Sequence, residues 1–260
     1  MKQYFYSYQT INRFGNMIER HQYRLRCIPP DTHCQRRMRQ AFYLYPSGCT
    51  THTTDVWGNP VQYGLCPDAH DRFVTVSSGV MATWPYALPE QAPWALYLCP
   101  TPLTDLHGCQ LAGIAEEQTA AAPTADALER ACQLTETVAT HMTYLPGSTT
   151  PTTTAAQAAA MAQGVCQDYA HILVGLCRRQ GVPARYVCGF VEGTGQTHAW
   201  VEVWHDGVWY GLDPTHNCRI TYGYVKLAHG RDANDCPVNR GVFAGCTPQQ
   251  TEIRVILEEI

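Results

Sequence analysis

Residues 198–213 predict a β-hairpin, and this segment constrains the fold of the chain more than any other. Two sets of side chains alternate along its first half, with one face carrying His198, Trp200, Glu202 and Trp204 and the other Ala199, Val201 and Val203. This alternation is the period of a half-buried strand. Asp206-Gly207 follows as a favoured two-residue turn. The segment therefore predicts two antiparallel strands whose faces are set by the turn.

A tight turn at Asp206-Gly207 also sets the register of the hairpin. Paired residue numbers then sum to 413, so that Asp213 lies opposite Trp200. His198 and Asp213 become diagonal neighbours on one face, about 7 to 8 Å apart at the backbone and within hydrogen-bonding reach. A slip of one residue would turn Asp213 to the opposite face. The pairing of His198 with Asp213 thus depends on this register.

Cys166 opens a predicted helix. Apolar residues recur after it at helical spacing, namely Tyr169, Ile172, Leu173 and Leu176. Gly181, with Pro183 just beyond it, marks the end of this helix. At the helix N-terminus, unpaired backbone N–H groups and the positive end of the macrodipole favour a thiolate. The same N–H groups, that of Cys166 included, can hold an oxyanion.

Cys166, His198 and Asp213 together fit nucleophilic catalysis, in which the imidazole takes the thiol proton and the carboxylate fixes the ring tautomer. Each residue alone is weak evidence. Buried cysteines are usually inert, strand histidines are usually structural, and an aspartate before proline is commonly a turn residue. The ordered triple, with its base and carboxylate on a shared face, predicts a cysteine-dependent enzyme that cleaves amide bonds.

Several segments, taken in order, resemble the core of the microbial transglutaminase-like superfamily. They are Tyr144–Thr149, Gly164–His171, Gly181–Val187, His198–Val203, Asp213-Pro214-Thr215 and Gly230-Arg231-Asp232. Asp55–Asn59 and Phe73–Val76 are similar to the β-rich domain that precedes the catalytic core in many bacterial members. The likeness covers nearly the whole chain.

The resemblance implies an α+β fold, with a papain-like catalytic core of helices packed on an antiparallel sheet and a small antiparallel β domain before it. It also implies Cys166, His198 and Asp213 as a catalytic triad. The chemistry that it implies is cleavage of an amide or isopeptide bond through a thioester acyl-enzyme.

Four further residues are expected near this triad. The resemblance implies that Tyr144 borders the active site, and we expect Gln167 and Trp200 to contact the substrate or help to hold the oxyanion. Cross-strand packing is the alternative role for Trp200 and the other aromatic residues of the hairpin. His216 stands where the family usually has Asn after Asp-Pro-Thr, and a structural role is favoured for it.

The sequence leaves three functions open. Animal cross-linking enzymes have Gln-Cys-Trp at the nucleophile, whereas Val165-Cys166-Gln167 resembles the microbial relatives regarded as peptidases, which favours hydrolysis. A protein-glutamine acyltransferase that cross-links proteins is the near rival, because access of water or of an amine decides the fate of a common acyl-enzyme. A non-catalytic scaffold that binds peptides in the same cleft is the third.

The composition of the chain limits the kinds of molecule that we expect it to bind. The net charge is −4 without a long basic run, so we expect a peptide or protein substrate and no nucleic acid. The cluster Arg36–Arg39 is expected to be a solvated strand or loop face. The sequence contains no apolar stretch of helix length, and Met1–Tyr6 lacks the pattern of a signal peptide. We therefore expect a cytoplasmic protein that does not enter a membrane.

The 13 cysteines are expected to be reduced thiols, because their number is odd, the chain is large and no export signal is visible. No C-x-x-C pair is present. Cys49 with His52, and Cys66 with His70, are isolated half-sites, which makes a structural zinc ion the less favoured reading. The expectation is no metal and no cofactor.

The first hundred residues contain strands and turns, and residues 1–100 are predicted to form the N-terminal antiparallel β domain. Residues 101–260 are predicted to form the catalytic domain. Its first helix contains Leu128 and Val138 at helical spacing, with Thr124 as the expected N-cap. A second helix is expected at Thr154, which forms a capping-box pattern with Gln157.

Overall fold

The structure is a computed structural model that describes residues 1–90, 92–121 and 124–260. Two antiparallel sheets, one of eight strands and one of six, dominate the described part of the chain, and a short parallel pair of strands completes it. The expected α+β architecture is confirmed, with helices packed against the smaller sheet.

The strands, in chain order, are β1 (Lys2–Leu25), β2 (Gln35–Tyr45), β3 (Cys49–Thr54), β4 (Pro60–Cys66), β5 (His70–Thr83), β6 (Ala87–Pro89), β7 (Thr143–Tyr144), β8 (Gln163–Gly164), β9 (Ala184–Val191), β10 (Gly193–Gly195), β11 (His198–His205), β12 (Val208–Asp213), β13 (Cys218–Arg219), β14 (Tyr224–Gly230), β15 (Asn239–Ala244) and β16 (Gln249–Glu259). The α-helices are α1 (Gln110–Ala121), α2 (Ala127–His141), α3 (Ala155–Met161) and α4 (Cys166–Arg179). Within the described residues, two short 3-10 helices span Ala95–Leu98 and Ala233–Asp235.

The long strand β1 organises the larger sheet. Its first part pairs with β5 and β16, and its last part pairs with β4 and β15. The register shifts between Arg13 and Ile18, and Arg20 adopts a positive φ of 51°. This irregularity lets one strand serve two sets of partners.

The smaller sheet has the order β13-β12-β11-β9-β14, and β6 pairs with β12 at its side. The core on one face of this sheet joins Ala199, Val201 and Val203 to the apolar residues of α2, α3 and α4. Helix α4 is almost entirely buried, and the left-handed Gly181 that follows it (φ 70°) ends the helix as predicted. The central helix is thereby held firmly against the strand that carries His198.

The two sheets share a hydrophobic core. Phe190 of β9 packs its ring against Tyr6 and Tyr8 of β1, with centroid distances of 5.9 and 5.3 Å. Strands from both sides of residue 100 also share sheets, since β15 and β16 pair with β1 while β6 pairs with β12. The division of the chain at residue 100 stays a prediction.

The predicted cap is confirmed for α3 and is wrong for α2. Thr154 and Gln157 form the predicted capping box at α3. The cap expected at Thr124 is wrong, because α2 begins at Ala127 and is capped by Asp126, which exchanges hydrogen bonds with Glu129. An Asp-x-x-Glu box satisfies two backbone N–H groups, and Thr124 has no such partner three residues later.

Two remaining expectations concern the surface. The residues of the Arg36–Arg39 cluster lie on β2, and Arg36, Met38 and Arg39 are exposed there, as expected for a solvated strand face. None of the helices in the described ranges combines the length and the apolar character that crossing a membrane requires.

Candidate active site

Cys166 is the first residue of α4, and its side chain is partly exposed. The first four N–H groups of an α-helix have no partner within the helix, so the backbone N–H groups of Cys166 and Gln167 are available at this end. The N-terminus of α4 is thus a site where negative charge on sulfur or on a substrate oxygen is favoured.

The buried Asp168 braces the segment around Cys166. Its Oδ2 atom accepts hydrogen bonds from the backbone N–H of Val165 (2.8 Å) and from the hydroxyl of Thr149 (2.7 Å). Gly164 packs directly on this carboxylate, and a Cβ atom there would lie 2.7 Å from the Cβ of Asp168. The position of Cys166 therefore depends on a glycine two residues before it and an aspartate two residues after it.

The hairpin register is confirmed. Val201 pairs with Leu212 and Trp204 with Trp209, so that the paired numbers sum to 413 as predicted. Nε2 of His198 lies 2.7 Å from Oδ2 of Asp213, which confirms that the two side chains share a face. Because Nε2 is hydrogen-bonded to the carboxylate, Nδ1 is the ring nitrogen that remains for another partner.

The positive charge of a protonated His198 and the negative charge of Asp213 stabilise each other. Burial lowers the pKa of His198, but the hydrogen bond with Asp213 and the nearby Cys166 outweigh it and raise the pKa to about 9. Burial raises the pKa of Asp213, but the hydrogen bonds from His198 and His216 hold it well below its usual range. Each of these two side chains therefore favours the charged form of the other.

Asp213 is fully buried, and both of its carboxylate oxygens accept hydrogen bonds. Its Oδ1 accepts from the backbone N–H groups of Thr215 (2.8 Å) and His216 (3.2 Å). Its Oδ2 accepts from His198, from Nδ1 of His216 at 2.7 Å and from the Tyr224 hydroxyl at 2.7 Å. The carboxylate is thus held in one orientation by backbone and side chains together.

Tyr144 and Gln167 lie beside Cys166. Tyr144 is 51% exposed and packs on Tyr169 at a ring-centroid distance of 6.3 Å. Burial raises its pKa, and the charge of the nearby Cys166 adds to this effect. The Gln167 amide donates to the Pro151 carbonyl oxygen at 3.3 Å. Tyr144 therefore has free surface next to Cys166, whereas Gln167 is tethered to a neighbouring loop.

Trp200 has no exposed surface. Its indole N–H donates to the Tyr86 hydroxyl at 3.0 Å, and its ring stacks beside His198 with centroids 6.4 Å apart. It therefore contacts the site through the imidazole that it supports, as in the packing alternative of the sequence analysis, and has no open surface for a substrate.

A buried ionic cluster lies along the same strand face. Glu202 accepts hydrogen bonds from Arg185 and from Lys226, the latter at 2.8 Å. Burial raises the pKa of Glu202, but these two cations outweigh it and lower the pKa to about 2. Burial lowers the pKa of Lys226 to about 8. This cluster anchors β9, β11 and β14, the strands behind His198.

Sequence reasoning missed Tyr224 and Asp168 as parts of the site. Tyr224 comes from β14, whose pairing with β9 is not encoded by a local turn. The sequence does contain a signal for Asp168, because an acidic residue in the first turn of a helix is a capping signal. The proximity of His216 to Asp213 was expected, but its direct hydrogen bond to the carboxylate was not.

Known proteins resemble part of this sequence and the fold of the whole chain. Residues 112–214, which contain Cys166, His198 and Asp213, match the family model of the Transglutaminase-like superfamily. A solved structure from Cytophaga hutchinsonii, described as a "Putative Cysteine Protease", superposes with a TM-score of 0.82 at 19% sequence identity. The superposition covers 100% of this chain and 91% of that one, and at this identity it establishes a common fold.

Curated relatives match over shorter stretches. An uncharacterized protein of Mycobacterium leprae (strain TN) is 33% identical over 125 residues, 44% of this chain and 44% of that protein. An uncharacterized protein of Mycobacterium tuberculosis (strain ATCC 25618 / H37Rv) is 33% identical over 126 residues, 42% of this chain and 40% of that protein. The chain thus spans less than half the length of these relatives. Residues 112–214 are therefore similar to the Transglutaminase-like superfamily, and the chain as a whole shares its fold with the structure from Cytophaga hutchinsonii.

Proposed function

We propose that the protein is a cysteine-dependent hydrolase that cleaves a peptide or isopeptide bond in a peptide or protein substrate. Cys166 is the nucleophile, His198 the general base and acid, and Asp213 the residue that orients the ring. The observation that carries the proposal is the buried 2.7 Å hydrogen bond between His198 and Asp213, on a strand packed against the helix that begins at Cys166.

The reaction begins with the Cys166 sulfur as a thiolate next to the His198 imidazolium. The sulfur attacks the amide carbon, and the charge that develops on the carbonyl oxygen is met by N–H groups at the start of α4. His198 then gives its Nδ1 proton to the leaving nitrogen as the C–N bond breaks. The product of this half-reaction is a free amine and a thioester on Cys166.

Water completes the cycle. His198, now neutral, takes a proton from the water molecule as its oxygen attacks the thioester carbon. The C–S bond breaks, which releases a carboxylic acid and restores the thiolate–imidazolium pair. Tyr144, with its free surface beside Cys166, is proposed to contact the substrate, and the tethered Gln167 is proposed to shape the same wall of the cleft. Trp200 is proposed to position the His198 ring.

The proposal is tested with complex peptide mixtures and mass spectrometry. The full chain and its Cys166→Ala variant are incubated separately with the same mixture, once in buffer and once with a labelled primary amine. New peptide termini, or glutamine converted to glutamate, only with the parent protein would support a hydrolase. Incorporation of the amine in preference to hydrolysis would assign the acyltransferase instead, and identical mixtures with both proteins would contradict catalysis.

A further inference from the structure

Three potential metal ligands lie close together at the side chains of His198, Asp213 and His216. The Nε2 atom of His198, the Oδ2 atom of Asp213 and the Nδ1 atom of His216 all lie within 4.8 Å of one another. Both nitrogens are 2.7 Å from the same carboxylate oxygen. The two imidazole rings are tilted relative to each other, with centroids 5.0 Å apart and an interplanar angle of 32°. Within the described ranges, no other set of three such side chains is assembled.

The ligand chemistry selects a class of ion. Two imidazoles and a carboxylate are a typical set of three protein ligands for Zn²⁺, with the fourth position left to water. Ca²⁺ and Mg²⁺ require six or more oxygen ligands, which these residues do not offer. The set therefore fits a divalent ion of the later first transition row, such as Zn²⁺ or Co²⁺.

The surroundings already provide the support that such a site requires. The backbone N–H groups of Thr215 and His216 hold Oδ1 of Asp213, so that Oδ2 is fixed in direction. Asp213 is fully buried and the side chain of His198 is 8% exposed, but the side chain of His216 is 50% exposed. An ion can therefore reach the site from solvent along His216.

We propose that His198, Asp213 and His216 form a binding site for a divalent transition-metal ion, and that an ion bound there switches off the catalytic base. The ion takes the place of the proton on Nε2 of His198 and separates the ring from its carboxylate. A metal-bound imidazole cannot become the imidazolium that protonates the leaving nitrogen. The binding site stands on the geometry alone, whereas the inhibition rests on the function proposed above.

This inference revises the expectation that the chain has no metal ligands. It depends on His216, whose Nδ1 lies 2.7 Å from Oδ2 of Asp213. A histidine there adds a second nitrogen ligand on the exposed side of the carboxylate. Asn217, the next residue, adopts the left-handed conformation that asparagine tolerates (φ 50°), and the turn thus presents His216 towards Asp213.

Metal binding is tested on the full chain carrying Cys166→Ala, which removes the proposed nucleophile from the measurement. Co²⁺ is the probe, because its visible absorption reports coordination by nitrogen and oxygen, and ligation by the remaining cysteines adds a separate ultraviolet charge-transfer band. We expect about one equivalent of Co²⁺ to bind with visible bands that lack this sulfur signature. Adding His216→Asn is expected to weaken that binding by at least about 10- to 100-fold, the loss that follows even from removing an outer-shell partner of a metal ligand.

His107→Asn is the matched control, since His107 is an exposed histidine outside this cluster. Equal Co²⁺ affinities in the His216→Asn and His107→Asn proteins would overturn the metal site. In the parent protein, Zn²⁺ is expected to slow alkylation of Cys166 by iodoacetamide, and a chelator is expected to restore it. Because Co²⁺ binding is measured without Cys166, an unreactive Cys166 would count against the proposed function and leave the metal site supported.

Discussion

His198 and Asp213 stabilise each other's charged forms, and a substitution that keeps the shape of Asp213 tests this. Asp213→Asn removes the negative charge, so the pKa of His198 should fall from about 9 towards its ordinary value of 6.5. The expected result is alkylation of Cys166 that is slower by about 100-fold or more at neutral pH, the lower end of what a positioned base contributes. Iodoacetamide labelling followed by peptide mass mapping measures this rate.

Asp206→Asn is the control for that substitution. It makes the same chemical change in the same hairpin, but its side chain is 88% exposed in the turn. We expect Cys166 in this variant to react at the parent rate. Equal rates for the Asp213→Asn and parent proteins would show that the carboxylate does not support the base.

The raised pKa of His198 also predicts how stability changes with pH. A group whose pKa is higher in the folded state stabilises the fold fully below its unfolded pKa, and this contribution is lost as pH rises through the folded value. For His198 the window runs from about pH 6.5 to about pH 9, and the gap corresponds to about 3 kcal/mol.

Urea unfolding of the parent and His198→Asn proteins across that window measures the effect. The free energy of unfolding of the parent should approach that of the variant as the pH rises. A difference between the two proteins that stays constant from about pH 6.5 to pH 9 would contradict the linkage.

The sequence points to Cys166, His198 and Asp213 as candidates because each lies in a segment with a local pattern, either a helix start or a hairpin. Tyr224 donates to the same carboxylate, yet no local signal ties it to Asp213, since β14 reaches the site by pairing with β9. Contacts between distant strands are set by packing of the whole sheet, and a single sequence does not display them.

Helix α4 depends on close contact at its entry. A Cβ atom on Gly164 would lie 2.7 Å from both Cβ and Oδ2 of Asp168, so Gly164→Ala must displace the brace or the start of the helix. We expect a loss of about 1 to 3 kcal/mol in stability, as for overpacking of a dense core, together with slower alkylation of Cys166. Urea unfolding measures the loss of stability, and iodoacetamide labelling of the same protein measures the rate of Cys166 alkylation.

Gly113→Ala provides the matched control in α1. Apart from its chain neighbours and the backbone of its own helix, nothing lies within 4 Å of a Cβ at Gly113, so the same substitution there should stabilise the helix by up to about 1 kcal/mol. Gly164→Ala protein with parental stability and parental Cys166 reactivity would refute the role of the brace.

Elements with local signals were predictable and elements without them were not. The Asp206-Gly207 turn fixed the register of β11 and β12, and Thr154 with Gln157 marked the start of α3. The return of β15 and β16 to β1 joins opposite ends of the chain and has no local signal. The wrong cap predicted for α2 has another cause. The Asp126–Glu129 box is a local signal that the sequence does contain.

The whole molecule is tied together where β9 meets β1. Phe190 is fully buried between the sheets and contacts Tyr6 and Tyr8, so Phe190→Ala should cost about 3 to 5 kcal/mol and lower the unfolding midpoint of both sheets together. Phe5→Ala, at a neighbouring position of β1 that is 37% exposed, should cost much less. Calorimetry of both variants measures this, and separate transitions for two parts of the chain would contradict a shared core.

The central claim is that His198 activates Cys166, and the pH dependence of Cys166 alkylation in the parent and His198→Ala proteins tests it most directly. The account predicts that Cys166 alone among the 13 cysteines reacts rapidly well below about pH 8, and that His198→Ala abolishes this reactivity. If Cys166 reacts no faster than the exposed Cys49, Cys99 and Cys246, or reacts equally in both proteins, the account is contradicted.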